Sequence, residues 1–200
     1  MQFRSQTVKS YKAWISGLYA VVWLWSAVDP FSRSDWLLEN LLVFLGLPVV
    51  FFLDRRYDLS PISFAAVFLF LALHSTGAHY TYAEMPVFHL LSQWFGLGRN
   101  HYDRVVHFLF GFLLFKPIFE CFHKAGNSRS MAGFVTLCLL VSLSSLYEIL
   151  EWLVVELVYP DLGAQFLGIQ GDEWDSQKDH ALGVLGALIA YGMNSTFMKK

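Results

Sequence analysis

Six apolar stretches, each near the length needed to cross a bilayer, divide this chain and leave its backbone few ways to fold. A membrane-spanning helix takes about 20 mostly apolar residues, within a range of roughly 17–25. The stretches run approximately over 13–28, 36–53, 61–82, 105–122, 131–158 and 181–198. Breaks at Asp29-Pro30, Ser60-Pro61, Glu84-Met85-Pro86 and Tyr159-Pro160 separate them, and proline, without an N–H, ends or opens helices. The expected fold is all-α: a polytopic membrane helical bundle with about six transmembrane helices, one integral membrane domain over 1–200. Composition agrees, since 15% of residues are charged against about 25% in soluble domains. Met1 to Lys12 is polar and basic, and the stretch after it has no small-residue cleavage site, so it reads as a first membrane helix and not a removed signal. Cys121 and Cys138 form neither a disulfide framework nor a CxxC metal site.

The basic residues set an expected orientation. With the N-terminus inside, Arg4, Lys9, Lys12, Arg55, Arg56, Lys116, Lys124, Arg129, Lys199 and Lys200 are cytoplasmic, and Arg33, Arg99, Arg104 and Lys178 are outside. Ten against four is a positive-inside bias that places both termini in the cytoplasm. The protein is thus expected to be a multi-pass membrane protein. Of its 16 acids, only Asp54, Asp58 and Glu120 then fall on the inner side. The outer mouth is expected to be acidic and to favour cations.

Acids inside apolar stretches are the chemical signal. Ionisable groups at bilayer depth are costly, so they line cavities, pair or bind something. Glu148 and Glu151 lie three apart on one face within 131–158, flanked by Tyr147 and Trp152. Asp103 and His107 are four apart and share a helical face. Asp172, Asp175 and Asp179 follow at intervals of three and four, and 74–84 supplies His74, His79 and Glu84. Histidine and carboxylate side chains converging from several helices are what a bundle uses to build a metal site. We take His79, Asp103, Glu148, Glu151, Asp172, Asp175 and Asp179 as candidate ligands of a divalent metal of unspecified identity, and Glu148, Glu151 and His107 as candidate acid–base groups. Carboxylates suit Mg, Mn and Ca, and imidazoles add Zn and Fe. Paired carboxylates also share protons, one acid and one base.

Plainer readings stand beside these. Asp103 and Arg104 read equally as an interfacial ion pair, and Glu84, Asp161 and Glu173 as solvated loop charges. His89, His101 and His123 fall in loops, and Trp94, Trp152 and Trp174 suit interface anchors. A hydrogen-bond network between helices is the alternative for Glu148, Glu151 and Asp179. No GxSxG, HExxH or P-loop pattern occurs, and the basic residues are too dispersed for a nucleic-acid surface.

Tyr102-Asp103-Arg104-Val105-Val106-His107-Phe108, Leu146-Tyr147-Glu148-Ile149-Leu150-Glu151-Trp152, Gly168-Ile169-Gln170-Gly171-Asp172-Glu173-Trp174-Asp175 and Gly77-Ala78-His79-Tyr80-Thr81-Tyr82 resemble the YjdF family of bacterial inner-membrane proteins. The resemblance covers most of the chain and implies class and compartment, with no activity to carry over. A looser similarity is to VanZ-like membrane proteins, some linked to glycopeptide-antibiotic tolerance. It rests on Asp103-Arg104-Val105-Val106-His107-Phe108, Glu148, Asp179 and Gly183-Val184-Leu185-Gly186-Ala187; Glu151, Asp172 and Asp175 are acids beyond that pattern. Three functions follow as expectations. The first is a metal-assisted enzyme acting on a lipid or lipid-linked envelope substrate. The second is an ion- or proton-coupled transporter, and the third a non-catalytic cation-binding scaffold. Membrane lipids are the expected partners, with no nucleic acid. The small Gly183, Gly186 and Ala187 are expected to allow close helix packing, within one protomer or between two.

Overall fold

The computed structural model describes residues 2–158 and 170–197. Among them are seven helices: α1 (Gln2–Ser26), α2 (Arg33–Tyr57), α3 (Pro61–His79), α4 (Pro86–Phe95), α5 (Tyr102–Lys124), α6 (Arg129–Val158) and α7 (Asp175–Phe197). Six correspond to the apolar stretches, and α4 is an addition. Tyr159-Pro160, Asp161, Gly168-Ile169, Lys199 and Lys200 lie outside the described residues. Four helices, α2, α3, α5 and α6, are long and apolar enough to cross a membrane.

Local chemistry explains where the helices begin and stop. The Ser32 and Ser60 hydroxyls cap α2 and α3, accepting from the N–H groups of Asp35 and Ser63 at 3.3 and 3.2 Å. Pro61 sits in the first turn of α3, where its missing N–H costs nothing. The 61–82 stretch ends early, at His79, because Thr81 and Tyr82 adopt positive φ of 49° and 53° and fold the chain back. Helix α7 starts six residues before the apolar stretch. Asp172 organises that start by accepting from the Trp174 N–H at 3.2 Å, and Asp175 occupies the first turn, where the helix dipole favours an anion.

The helices pack around α5, which touches α3, α6 and α7. Its contact with α7 is the most extensive, and glycine makes it possible. A Cβ on Gly111 would stand 1.9 Å from the Gly183 carbonyl oxygen, and one on Gly186 would stand 2.1 Å from that of Phe108. The backbones therefore touch, as in small-residue membrane crossings. His107 and Phe108 lie against Gly183 and Gly186, and Gly111 against Gly183 and Ala187, so the two helices run parallel. The small residues serve contact within one protomer. Phe115, Phe119, Leu140 and Ala187 fill the seam with α6, and Tyr19, Val43, Phe64, Phe68, Phe70 and Val106 join α1, α2, α3 and α5. Large apolar side chains also face outward, among them Trp14, Leu45 and Phe52.

Polar side chains gather at the two ends of the bundle. At one end Lys12 Nζ lies 2.7 Å from Asp54 and 3.0 Å from Asp58, while Glu120 accepts from Ser60 and pairs with Lys116 at 3.0 Å. The other end holds the starts of α2, α5 and α7, the end of α3 and the second half of α6.

The glycine contact makes a direct prediction for unfolding in SDS titrations. Gly111→Ala and Gly186→Ala each destabilise by about 1–3 kcal/mol or more, the cost of overpacking. Gly46→Ala, with no atom within 4 Å of the added Cβ, is neutral or stabilising by up to ~1 kcal/mol.

Candidate functional site

The α5–α7 contact determines which side chains meet. One and two turns before Gly111, α5 presents His107 and the Asp103-Arg104 pair; one and two turns before Gly183, α7 presents Asp179 and Asp175. Parallel packing sets these rows face to face. Carboxylate oxygens of Asp103, Asp175 and Asp179 all lie within 4.8 Å of one another, with Asp175 and Asp179 only 4% and 3% exposed. His107 completes the α5 row: Nε2 is 3.4 Å from Asp103 Oδ1, and Nδ1 is 3.5 Å from Glu148 Oε1 on α6. Both ring nitrogens thus face carboxylates. Glu151 is subject to the charges of Asp103, Glu148, Glu39 and His107, which puts it in the same polar interior.

A lattice of cations covers one side of the cluster. Arg99, buried at the approach to α5, grips Asp175 with both Nη atoms, Nη2 lying 3.0 Å from Oδ2. Arg104 Nη2 lies 2.5 Å from Asp172 Oδ2 and 3.1 Å from Asp175 Oδ1. Lys178 Nζ lies 2.6 Å from Asp172. The Lys178 ammonium, helped by Arg104, holds the Asp172 carboxyl well below the usual carboxylate range. Arg104 therefore reaches across to α7 and makes its ion pairs there. Three of the four basic residues assigned to the outer side are spent on Asp172 and Asp175, so the acidity of that mouth is partly neutralised. The loop before α5 is tied down as well, because the Asn100 N–H donates to Gln170 Oε1 at 2.8 Å and Gln170 Nε2 returns a bond to the Asn100 carbonyl at 3.1 Å.

Beyond the lattice, several buried atoms make no hydrogen bond among the described residues: Asp179 Oδ1 and Arg104 Nε face each other at 4.0 Å, Glu148 Oε1 lies 3.5 Å from His107 Nδ1, and Ser144 Oγ is another. An unsatisfied buried polar group costs about 1–3 kcal/mol, more when charged. Two carboxylate oxygens without a hydrogen bond, beside a third and fourth carboxylate and with only Arg104 and His107 of the described residues at ion-pair distance, leave a local demand for positive charge, as a proton or a cation.

His79 does not join this cluster. Its Nδ1 donates to the Ser26 carbonyl at 3.0 Å and its ring packs on Trp25 and Tyr80, tying α3 to the end of α1. Glu84 and His89 pair with each other at the exposed turn, 3.1 Å apart. Four residues that sequence reasoning had not chosen as site members do join. Tyr147 donates to Glu39 Oε2 at 2.9 Å, His74 Nε2 lies 3.0 Å from the Glu39 carbonyl, and Tyr82 Oη lies 2.6 Å from His74 Nδ1. The Tyr147 ring meets His107 edge to face with centroids 5.9 Å apart, joining this chain to the acidic cluster. Glu39, an acid inside the 36–53 stretch, was the available signal.

Long apolar helices arranged around a buried charged interior define a polytopic α-helical membrane protein. The chain belongs to the DUF2238 family, described as "Predicted membrane protein", whose profile matches residues 11–200. It is 31% identical over 170 residues to the "Inner membrane protein YjdF" of Escherichia coli (strain K12), covering 84% of this chain and 81% of that protein. The inner membrane is accordingly its compartment. No solved structure matches it.

The lattice predicts unequal costs for removing its members. Asp175→Asn removes the carboxylate that the buried Arg99 grips and shares with Arg104, leaving Asp172 3.9 Å from Arg99, and should lower stability by about 3 kcal/mol. Lys178→Ala, at a side chain half-exposed to solvent, should cost less than about 1 kcal/mol. Denaturant unfolding of the detergent-purified variants checks the ratio.

Proposed function

We propose that this protein is a membrane-embedded, metal-assisted enzyme acting on a lipid or lipid-linked envelope substrate, with its site in the extracytoplasmic half of the bilayer. In this reading α1 and α7 also cross the membrane, giving six spans with both termini cytoplasmic, in keeping with the positive-inside bias. The observation that carries the proposal is the approach of Asp103, Asp175 and Asp179 within 4.8 Å, with Asp179 Oδ1 buried, without a hydrogen bond and 4.0 Å from Arg104 Nε. An all-carboxylate ligand set favours a hard divalent ion such as Mg or Mn. Such an ion polarises a phosphoryl or acyl oxygen and lowers the pKa of bound water. Glu148, whose Oε1 lies 3.5 Å from His107 Nδ1, Glu151 and His107 supply acid–base groups beside it.

A structural reading has one observation in its favour: Asp175 already satisfies Arg99 and Arg104. A closed, non-catalytic cation site or a simple charge network would use it in that way. Transport is less well supported, because the polar cluster lies at one end of the bundle and alternating access works about a midplane site.

Metal content of the detergent-purified protein, measured by mass spectrometry, separates these readings. The expected result is near-stoichiometric divalent metal in the wild type, lost in Asp179→Asn and in Asp103→Asn with helicity unchanged. Turnover of lipid-linked phosphate and acyl substrates in nanodiscs should then require that metal and stop on chelation. Protein that stays metal-free after incubation with Mg or Mn overturns the proposal. Bound metal without turnover of any lipid-linked substrate favours the scaffold.

A further inference from the structure

Helix α4 joins the end of α3 to the start of α5. Both neighbours are long and apolar enough to cross the membrane, so the chain between them turns at one membrane face. At 1.5 Å per residue its 10 residues span about 15 Å, half of what a crossing takes. Pro86 occupies its first turn, and Gly96 stops it by taking a positive φ of 62°.

The side chains of α4 sort into three faces, at about 100° per residue. Phe88 and Ser92 lie on the first. Phe88 meets the Tyr102 ring edge to face with centroids 5.2 Å apart, and the Ser92 hydroxyl donates to the Arg99 carbonyl at 2.6 Å. Just before the helix, the Met85 carbonyl accepts from Asn100 Nδ2 at 2.9 Å. This face is docked on the bundle. Val87, Leu90 and Trp94 form the second face and point away from the protein, with Trp94 80% exposed. His89 and Gln93 are exposed on the third, roughly opposite the apolar stripe. There His89 Nε2 pairs with Glu84 at 3.1 Å.

Those three directions are the ones a helix needs when it lies flat at a bilayer surface: bundle beside it, hydrocarbon beneath, water above. A tryptophan on the apolar stripe suits the boundary between lipid and water. No Asp, Glu, Lys or Arg lies within α4, so apolar contact and not headgroup charge is what holds the stripe.

We propose that α4 is an interfacial helix, lying in the membrane plane at the acidic-cluster end of the bundle with Val87, Leu90 and Trp94 seated among phospholipid acyl chains. The docked face carries the consequence. Through Ser92 and Asn100, α4 holds the segment that delivers Arg99 to Asp175, so the lipid boundary and the Arg99 side of the cluster stand at one level. The proposal depends on neither a bound cation nor catalysis.

Nitroxide labels read the three faces directly. Single cysteines are placed one at a time in the full-length Cys121→Ala/Cys138→Ala protein, in phosphatidylcholine vesicles. At Val87→Cys, Leu90→Cys and Trp94→Cys, spin relaxation by oxygen should exceed relaxation by a water-soluble nickel chelate. At His89→Cys and Gln93→Cys that order should invert. Nickel exceeding oxygen at positions 90 and 94 puts the stripe in water and overturns the proposal, as a surface for a soluble protein would require. Shielding from both reagents also overturns it, with spin–spin broadening then identifying a second copy of the chain. Should the cysteine-free protein fail to fold, the fluorescence difference between wild type and Trp94→Phe isolates Trp94. Stronger quenching of it by acyl-brominated phospholipid than by aqueous iodide supports the proposal, and the reverse overturns it.

Discussion

The backbone contact between α5 and α7 fixes where every acid of the cluster sits. Lipid tails are as apolar as leucine, so helices in a membrane gain little from burying apolar surface against each other; close packing must hold them. Gly111, Gly183 and Gly186 permit an approach that no side chain could share. Because the two helices run parallel, their polar first turns arrive side by side, and like charges that would otherwise repel are forced into one space. Packing here is the cause and electrostatics the consequence.

Such a space survives only if its charges are answered. Arg99, Arg104 and Lys178 answer Asp172 and Asp175 in an interlocked set, and His107 lies between Asp103 and Glu148. Low dielectric strengthens each pair and raises the cost of any group left bare. Asp179 Oδ1 and Glu148 Oε1 are buried without a hydrogen bond among the described residues, answered only at 4.0 Å by Arg104 and at 3.5 Å by His107. Natural structures keep such groups where strain, a catalytic role or an ion explains them. The opposite end of the bundle, with Lys12, Asp54, Lys116 and Glu120 joined in ion pairs, provides the contrast within the same molecule.

Much of this was legible in the sequence, for reasons that are local. Apolar length and proline breaks located six helices. The i,i+4 spacing of Asp103 and His107, and of Asp175 and Asp179, announced shared faces that the fold brings together. Helix α4 escaped notice because ten residues cannot span a bilayer. The first turn of α7 looked like loop because its residues are polar. His79 was chosen over His74, but five residues turn a helix by about 140°, and the fold turns His74 toward Glu39 and His79 toward Ser26. Adjacent Asp103 and Arg104 diverge by about 100° for the same reason, so that Asp103 turns toward His107 and Asp179 while Arg104 pairs with Asp172 and Asp175. Glu39 was hardest to place: its partner Tyr147 is 108 positions away, and no local pattern joins them.

The cation proposed to sit among Asp103, Asp175 and Asp179 can be sought directly. Crystals of the protein soaked in Mn²⁺ and measured at the manganese edge should show an anomalous peak within coordination distance of all three carboxylates. A clear map with no peak there, or with manganese bound only at exposed acids elsewhere, would contradict it and leave the cluster as a network of protons and ion pairs.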